Sequence, residues 1–229
     1  MSDPIPFRRT SPGAPGGAGR AVDVRRVVVV SAGLSDPSST KLLADLLAEA
    51  TTRVATERGA VVEVQHVELR ALAHGLTDAL LTGFASGEVA TAQAQVAAAD
   101  AVVAVTPVFS ASYSGLFKTF FDVLERGTLD GVPVLVAATA GTARHSLVLD
   151  HALRPLFSYL HAAVLPTGVF AASEDWARGG ADSALRTRID RAAGELVDRL
   201  VGPRAQAERL DQFDRDVAAM GSFEDLLGG

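Results

Sequence analysis

There is no cysteine among the 229 residues. That absence excludes a disulfide framework, a zinc ribbon, an iron–sulfur cluster and thiol chemistry together. Redox work by this chain therefore calls for a bound cofactor. Aromatic residues are sparse at 6%, and Lys41 and Lys118 are the only lysines. With 21 basic against 27 acidic side chains and a net charge of −6, the chain lacks the clustered positive charge that a nucleic-acid surface or an anionic-membrane partner needs. No apolar run reaches the roughly 20 residues of a membrane span; RVVVVS and DAVVAVTPVF are strand-sized. The opening MSDPIPFRRTSPGAPGGAGR holds no apolar stretch of the secretory kind, so a cytoplasmic location is expected. There is no Gly-x-Ser-x-Gly elbow and no His-Glu-x-x-His, and His66, His74, His145, His151 and His161 show no metal-ligand spacing. Neither a hydrolase nor a metal site is expected.

What is present is an alternation of β-branched runs with helical segments. Residues 1–23 are rich in Pro, Gly, Ser and Arg without periodicity, which predicts a disordered tail. Gly13, Gly16, Gly17 and Gly19 precede the first strand, so they are not a dinucleotide fingerprint. Residues 24–204 are expected to form one folded domain, and residues 205–229, dominated by Glu208, Asp211, Asp214, Asp216, Glu224 and Asp225, a short acidic helix and tail. Strands are predicted over Arg26–Ser31, Ala60–Leu69, Ala101–Thr106, Pro133–Ala138 and Ala163–Phe170. Helices are predicted over Ser39–Arg58, Glu88–Ala98, Ser114–Arg126, Leu147–Leu160 and Ala184–Leu200. Several strands are apolar at consecutive positions, as parallel strands covered on both faces are. Repeated β-then-α order predicts an α/β, doubly wound, five-stranded parallel sheet of strand order 2-1-3-4-5. Ligands of such sheets bind outside the carboxyl ends of strands 1 and 3.

The loops at that edge carry the chemistry. The first runs Ser31-Ala-Gly-Leu-Ser-Asp-Pro-Ser-Ser-Thr-Lys41. Ser38, Ser39 and Thr40 stand where a helix starts, so hydroxyls and first-turn N–H groups converge on a place for a phosphate. Ser39 or Thr40 serves equally as an ordinary N-cap. There is no Gly-Lys-Ser/Thr, hence no Walker A loop. The second loop runs Thr106-Pro-Val-Phe-Ser-Ala-Ser-Tyr-Ser-Gly-Leu-Phe-Lys118. Pro107 is expected to end the strand, and the small residues after it let the backbone lie against a flat ring. Phe117, Phe120, Phe121 and Leu124 recur at helical spacing, as a core or subunit face does. The third loop, Ala138-Thr-Ala-Gly-Thr-Ala-Arg-His145, adds hydroxyls and a glycine. His145 reads either as a solvated loop side chain or as a hydrogen-bond partner for the rim of a ring. Trp176, after the last strand, reads as a surface anchor.

An anion cradle beside a ring-sized shelf calls for a phosphorylated planar cofactor, and FMN has that shape. In SAGLSDPSSTKLL (31–43), TPVFSASYSGLFKTFFDVL (106–124) and TAGTARHSLVLDHALRPLF (139–157) the chain resembles the NADPH-dependent FMN reductase family of flavodoxin-like proteins, particularly members that partner luciferase-like monooxygenases. The likeness runs from about Val27 to Leu200. It implies that Ser31, Ser38, Ser39 and Thr40 hold the FMN phosphate, and that Thr106, Pro107, Val108, Phe109 and Ser110 line the isoalloxazine and ribityl chain. It further implies that Thr139, Gly141, Thr142 and His145 reach the far side of the ring. Departures from the family pattern are Ser39 where many relatives have Arg, Ala140 where a second glycine is common, and Phe109 in place of a frequent Tyr. Phosphate charge must then be met by backbone, by Lys41 or by a neighbouring subunit.

The resemblance implies ping-pong hydride transfer from NADPH or NADH to FMN, with no catalytic acid or base, because the flavin carries the chemistry. It implies a homodimer or homotetramer, with the aromatic stripe of the helix over Ser114–Arg126 packing a dimer beside the flavin, and reduced flavin supplied to a monooxygenase. A quinone or azo-compound reductase differs from this only in its acceptor. A flavodoxin-type electron carrier would have a tighter phosphate loop and a more acidic surface. A receiver-type signalling domain is discounted, since Thr106-Pro107 stands where its phospho-acceptor Asp belongs.

Overall fold

A computed structural model describes residues 24–176 and 181–202. The expected tails, 1–23 and 205–229, lie outside the described residues. The chain runs β1 (Val24–Ser31), α1 (Ser39–Glu57), β2 (Val61–Glu68), α2 (Leu69–Thr82), α3 (Gly87–Ala97), β3 (Ala101–Phe109), β4 (Ser112–Tyr113), α4 (Gly115–Asp122), β5 (Pro133–Ala140), α5 (Arg154–Tyr159), β6 (Ala163–Val164), β7 (Val169–Ala172) and α6 (Ser183–Val201). Strands pair in the order β2-β1-β3-β5-β6, with β7 also on β5 and β4 on β3. Since β6 and β7 are two pieces of the fifth strand, this is the expected doubly wound 2-1-3-4-5 sheet.

Burial explains the unbroken apolar runs. Val27, Val28, Val29 and Val30 are all sealed from solvent, but successive side chains take opposite faces. Val28, Val30, Val102, Ala104, Val134 and Val136 join a core under α2, α3, α4 and α5. Val27, Val29, Val103, Val105, Leu135 and Ala137 join a second core under α1 and α6. The central strands β1, β3 and β5 are therefore dry on both faces over most of their length, whereas the edge strand β2 is largely exposed.

Four elements differ from the sequence expectation. Helix α2 is not among the helices expected from the sequence; Leu69, Leu72, Leu76 and Ala79 form its buried face. A Cβ on Gly75 would sit 2.9 Å from Val89 Cγ2, so glycine lets α3 pack close. The helix expected over Leu147–Leu160 opens with a π-helical turn, Leu149–Leu153, ahead of α5. Pro155 explains it, because proline has no N–H to give and its ring clashes with the carbonyl four residues back. The fifth strand is broken at Leu165–Gly168. Pro166 donates no ladder bond, Arg154 binds the Leu165 and Pro166 carbonyls at 2.8 and 2.6 Å, and the Thr167 N–H goes to Glu195 at 2.9 Å.

The fourth difference lies at the working edge. Pro107 does not end β3; it stands in register with Thr139, and the strand continues to Phe109 before turning back into β4. The turn residues Ser110 and Ala111 have φ of 49° and 65°, the left-handed conformation a two-residue type I′ hairpin requires. Nor does the aromatic stripe of α4 face outward. Phe117, Phe120 and Phe121 are buried within this chain's own core, with Phe121 4.9 Å from Phe157 in an edge-to-face pair. They are not a subunit face.

No helix among the described residues is long and apolar enough to cross a membrane. The hairpin yields a prediction. Ala111→Gly removes a Cβ from a left-handed position, and urea denaturation is expected to show a gain of about 0.5–1 kcal/mol.

Candidate active site

Three connections meet at the carboxyl edge. The first leaves β1 at Ser31, where the Ala32 N–H donates to the Val105 carbonyl at 3.0 Å and ties the loop to β3. Ser38 is the N-cap of α1; its hydroxyl accepts from the Lys41 N–H at 3.2 Å, and its carbonyl accepts from the Leu42 N–H at 3.0 Å. The N–H groups of Ser39 and Thr40 lie in the first turn, where a helix supplies no acceptor. Gly33 makes this geometry possible. A Cβ there would come 2.1 Å from Ser38 Oγ, so any side chain would evict the cap. The Asp36–Pro37 peptide bond is cis.

The second and third connections are pinned to the first. The Thr40 and Thr139 hydroxyls share a hydrogen bond of 2.7 Å in a buried setting, which joins the start of α1 to the end of β5. At the end of β3 the Thr106 hydroxyl accepts from the Ser114 N–H at 3.0 Å and donates to the Pro107 carbonyl at 2.9 Å. Ser114 in turn caps α4, accepting from the Phe117 N–H at 3.2 Å. The Thr40–Thr139 hydroxyl pair thus ties the first connection to the third and the Ala32–Val105 backbone bond ties it to β3, while the Thr106 and Ser114 hydroxyls brace the second connection internally.

Between the loops is a cavity of about 320 Å³, a size ordinary for a cofactor site. Of the residues singled out by sequence, Ser38, Ser39, Thr40, Pro107, Val108, Phe109, Thr139 and Gly141 line it. Ser31 lies buried beneath the edge, and Thr106 is sealed under the hairpin. Ser110 sits in the exposed hairpin turn, while Thr142 and His145 are exposed on the third loop, His145 in a single 3-10 turn, Ala143–His145. None of these five lines the cavity. Leu34, Ser35, Ala140 and Ser173 line it without having been nominated. Ser173 directly follows the last strand, so the carboxyl-edge rule applied to that strand would have found it.

Among the described residues the lining is uncharged. Its polar side chains are the hydroxyls of Ser35, Ser38, Ser39, Thr40, Thr139 and Ser173, set against Leu34, Val108 and the half-exposed Phe109. Lys41 does not supply the missing cation. Its ammonium lies 3.0 Å from Glu68 and 3.2 Å from Asp45; the Glu68 hydrogen bond, opposed by desolvation and aided by Asp45, raises its pKa above the ordinary lysine value. Lys118 is likewise paired, with Asp122 one turn on. Among the described residues no group of His, Asp or Glu is arranged to hold a metal. What the site offers is an oxygen-rich, positively polarised helix start beside an apolar shelf. That donor set fits a phosphate joined to a flat ring, as FMN has.

The buried threonine pair is testable apart from any ligand. Thr40→Val leaves the Thr139 hydroxyl without its partner and is expected to lower stability by about 1–2 kcal/mol, whereas adding Thr139→Val should cost little more. Urea denaturation of the single and double variants measures both.

Comparison with known proteins agrees with this geometry. Residues 25–177 match the NADPH-dependent FMN reductase family. The chain is 38% identical over 187 residues to an FMN reductase (NADPH) of Pseudomonas aeruginosa, covering 81% of this chain and 97% of that protein. It is 40% identical over 173 residues to the NADH-dependent FMN reductase SfnE of Pseudomonas putida, covering 75% and 90%. The crystal structure of an oxidoreductase from Corynebacterium diphtheriae superposes with a TM-score of 0.74 at 48% identity, over 79% of this chain and 99% of that one. By sequence, fold and the make-up of its carboxyl edge, this chain belongs to the NADPH-dependent FMN reductase family.

Proposed function

We propose that the chain is an NAD(P)H:FMN oxidoreductase working at the carboxyl edge of β1, β3 and β5. The observation that carries this is the convergence of the α1 start, the β3 hairpin and the β5 loop on one cavity. Bound FMN would supply the chemistry, accepting a hydride from the nicotinamide and passing the electron pair to an acceptor. The residues of the chain bind and orient. Ser38, Ser39 and Thr40, with the N–H groups of the first turn, hold the phosphate. Pro107, Val108 and Phe109 form the shelf for the ring, with Thr139 and Gly141 across from them; Ser31, Thr106 and Ser114 support this set from beneath. Ser110, Thr142 and His145 are placed on the exposed rim, where a co-substrate arrives. No side chain is required to move a proton in the hydride step, and none is assigned that role. Within this reading the chain works in the cytoplasm and supplies reduced flavin to a flavin-dependent monooxygenase.

The test is to mix the purified chain anaerobically with FMN and NADPH, then with NADH, and follow the flavin absorbance. Bleaching that depends on the protein is expected. FMN binding without nicotinamide oxidation would point to an electron carrier and overturn the reductase. Ser39→Asp puts a carboxylate in the phosphate cradle while remaining compatible with a helix start. FMN affinity is expected to fall about tenfold or more, with riboflavin, which has no phosphate, little affected.

The homodimer or homotetramer implied by the resemblance is part of the same reading. With Phe117, Phe120 and Phe121 inside the chain's own core, its contact surface lies on other residues. Light scattering at micromolar concentration is expected to give a dimer or tetramer mass, and a monomer mass would overturn the assembly.

A further inference from the structure

Lys41 is the third helical residue of α1, directly after two residues that line the cavity. It is the obvious cation for an anion at that helix start, yet its ammonium is turned to the other flank. Glu68 ends β2 and stands in register with Ser31, on the side of β1 away from β3 and β5, whose ends line the cavity. Glu68 at 3.0 Å and Asp45 at 3.2 and 3.4 Å hold the Lys41 ammonium there. His66 Nδ1 approaches the same Asp45 carboxylate at 3.7 Å. Two carboxylates around one ammonium leave a net negative charge beside a phosphate cradle whose lining, among the described residues, holds no cation. An anion site built for tight retention would have the opposite arrangement.

We propose that Asp45 and Glu68 form a clamp that withholds Lys41 from the phosphate cradle, so that the α1 start holds FMN through neutral donors and lets it exchange with solution. The proposal rests on the FMN reading of the cavity. It assigns Lys41, Asp45 and Glu68 to the control of flavin residence, without contact to the reacting atoms. Affinity changes within one site fall mainly on the dissociation rate. A clamped Lys41 therefore suits a protein that releases reduced FMN to an acceptor, and a freed Lys41 suits one that keeps its flavin through each turnover.

The experiment is flavin binding by fluorescence quenching with the full chain, FMN and riboflavin being the two probes. Asp45→Asn with Glu68→Gln frees the ammonium. Both carboxylates are substantially exposed, so the fold is expected to be retained, as circular dichroism would verify. FMN affinity should rise about three- to tenfold, the gain should shrink in high salt, and riboflavin affinity should stay within about twofold. Adding Lys41→Gln should abolish the gain, and Lys41→Gln alone should change FMN affinity by less than about twofold. An unchanged FMN affinity, an equal shift for riboflavin, or a gain that survives loss of Lys41 overturns the clamp. Failure of the unaltered chain to bind either flavin overturns the FMN reading, and the clamp with it.

Discussion

A β-strand buried on both faces has nowhere to display polar chemistry except at its ends. That constraint governs this molecule. Val27–Val30 of β1, Ala101–Val105 of β3 and Val134–Ala138 of β5 are closed to solvent above and below, and the parallel registers between them leave no room for a polar side chain within the sheet. Because all three strands run the same way, their carboxyl ends share one edge. Each connection leaving that edge must place its unpaired backbone groups and hydroxyls next to those of its neighbours. The Thr40–Thr139 and Thr106–Ser114 bonds are the local settlement of that crowding. The cavity is the space left over.

The electrostatic character of the site follows from the same crowding. Serines and threonines are short enough to cap a helix and bond one another inside a tight edge, whereas long cationic side chains are directed outward. Lys41 and Lys118 accordingly project to carboxylates on the surface. The positive polarity that remains comes from the backbone of α1. It depends on a single clearance, since Ser38 keeps its capping position only because Gly33 has no Cβ.

Much of the fold is legible in the sequence. The valine runs of β1 and β3 announced strands buried on both faces, and the β-then-α alternation announced the crossovers, so strand order and ligand edge followed. The serines and threonine at the start of α1, and Pro107 to Phe109, stand at strand ends of such a sheet, and the structure brings them to one cavity. The parts that escaped depend on partners distant in sequence. Helix α2 packs on Val89 of α3, which a glycine at position 75 allows and which nothing local announces. Pro107 looked like a terminator, although the hairpin to β4 carries the strand past it. The phenylalanines of α4 had the periodicity of either a core or an interface, and only Phe157, far along the chain, settles them as core. Lys41 looked available to a phosphate because nothing local shows that β2 ends in a carboxylate beside it.

The two outer strands of the sheet are defended in different ways. At one margin, β2 presents eight residues in register, and Glu63, Gln65, His66 and Glu68 stud it with polar side chains. At the other, the gap at Leu165–Gly168 divides the margin into pieces of two and four residues, while Arg154 and Glu195 occupy backbone groups within the gap. A foreign strand needs a continuous row of open N–H and carbonyl groups to add itself to a sheet. The interrupted margin offers only rows of two and four residues, and so the break at Pro166 also works against strand addition from that side.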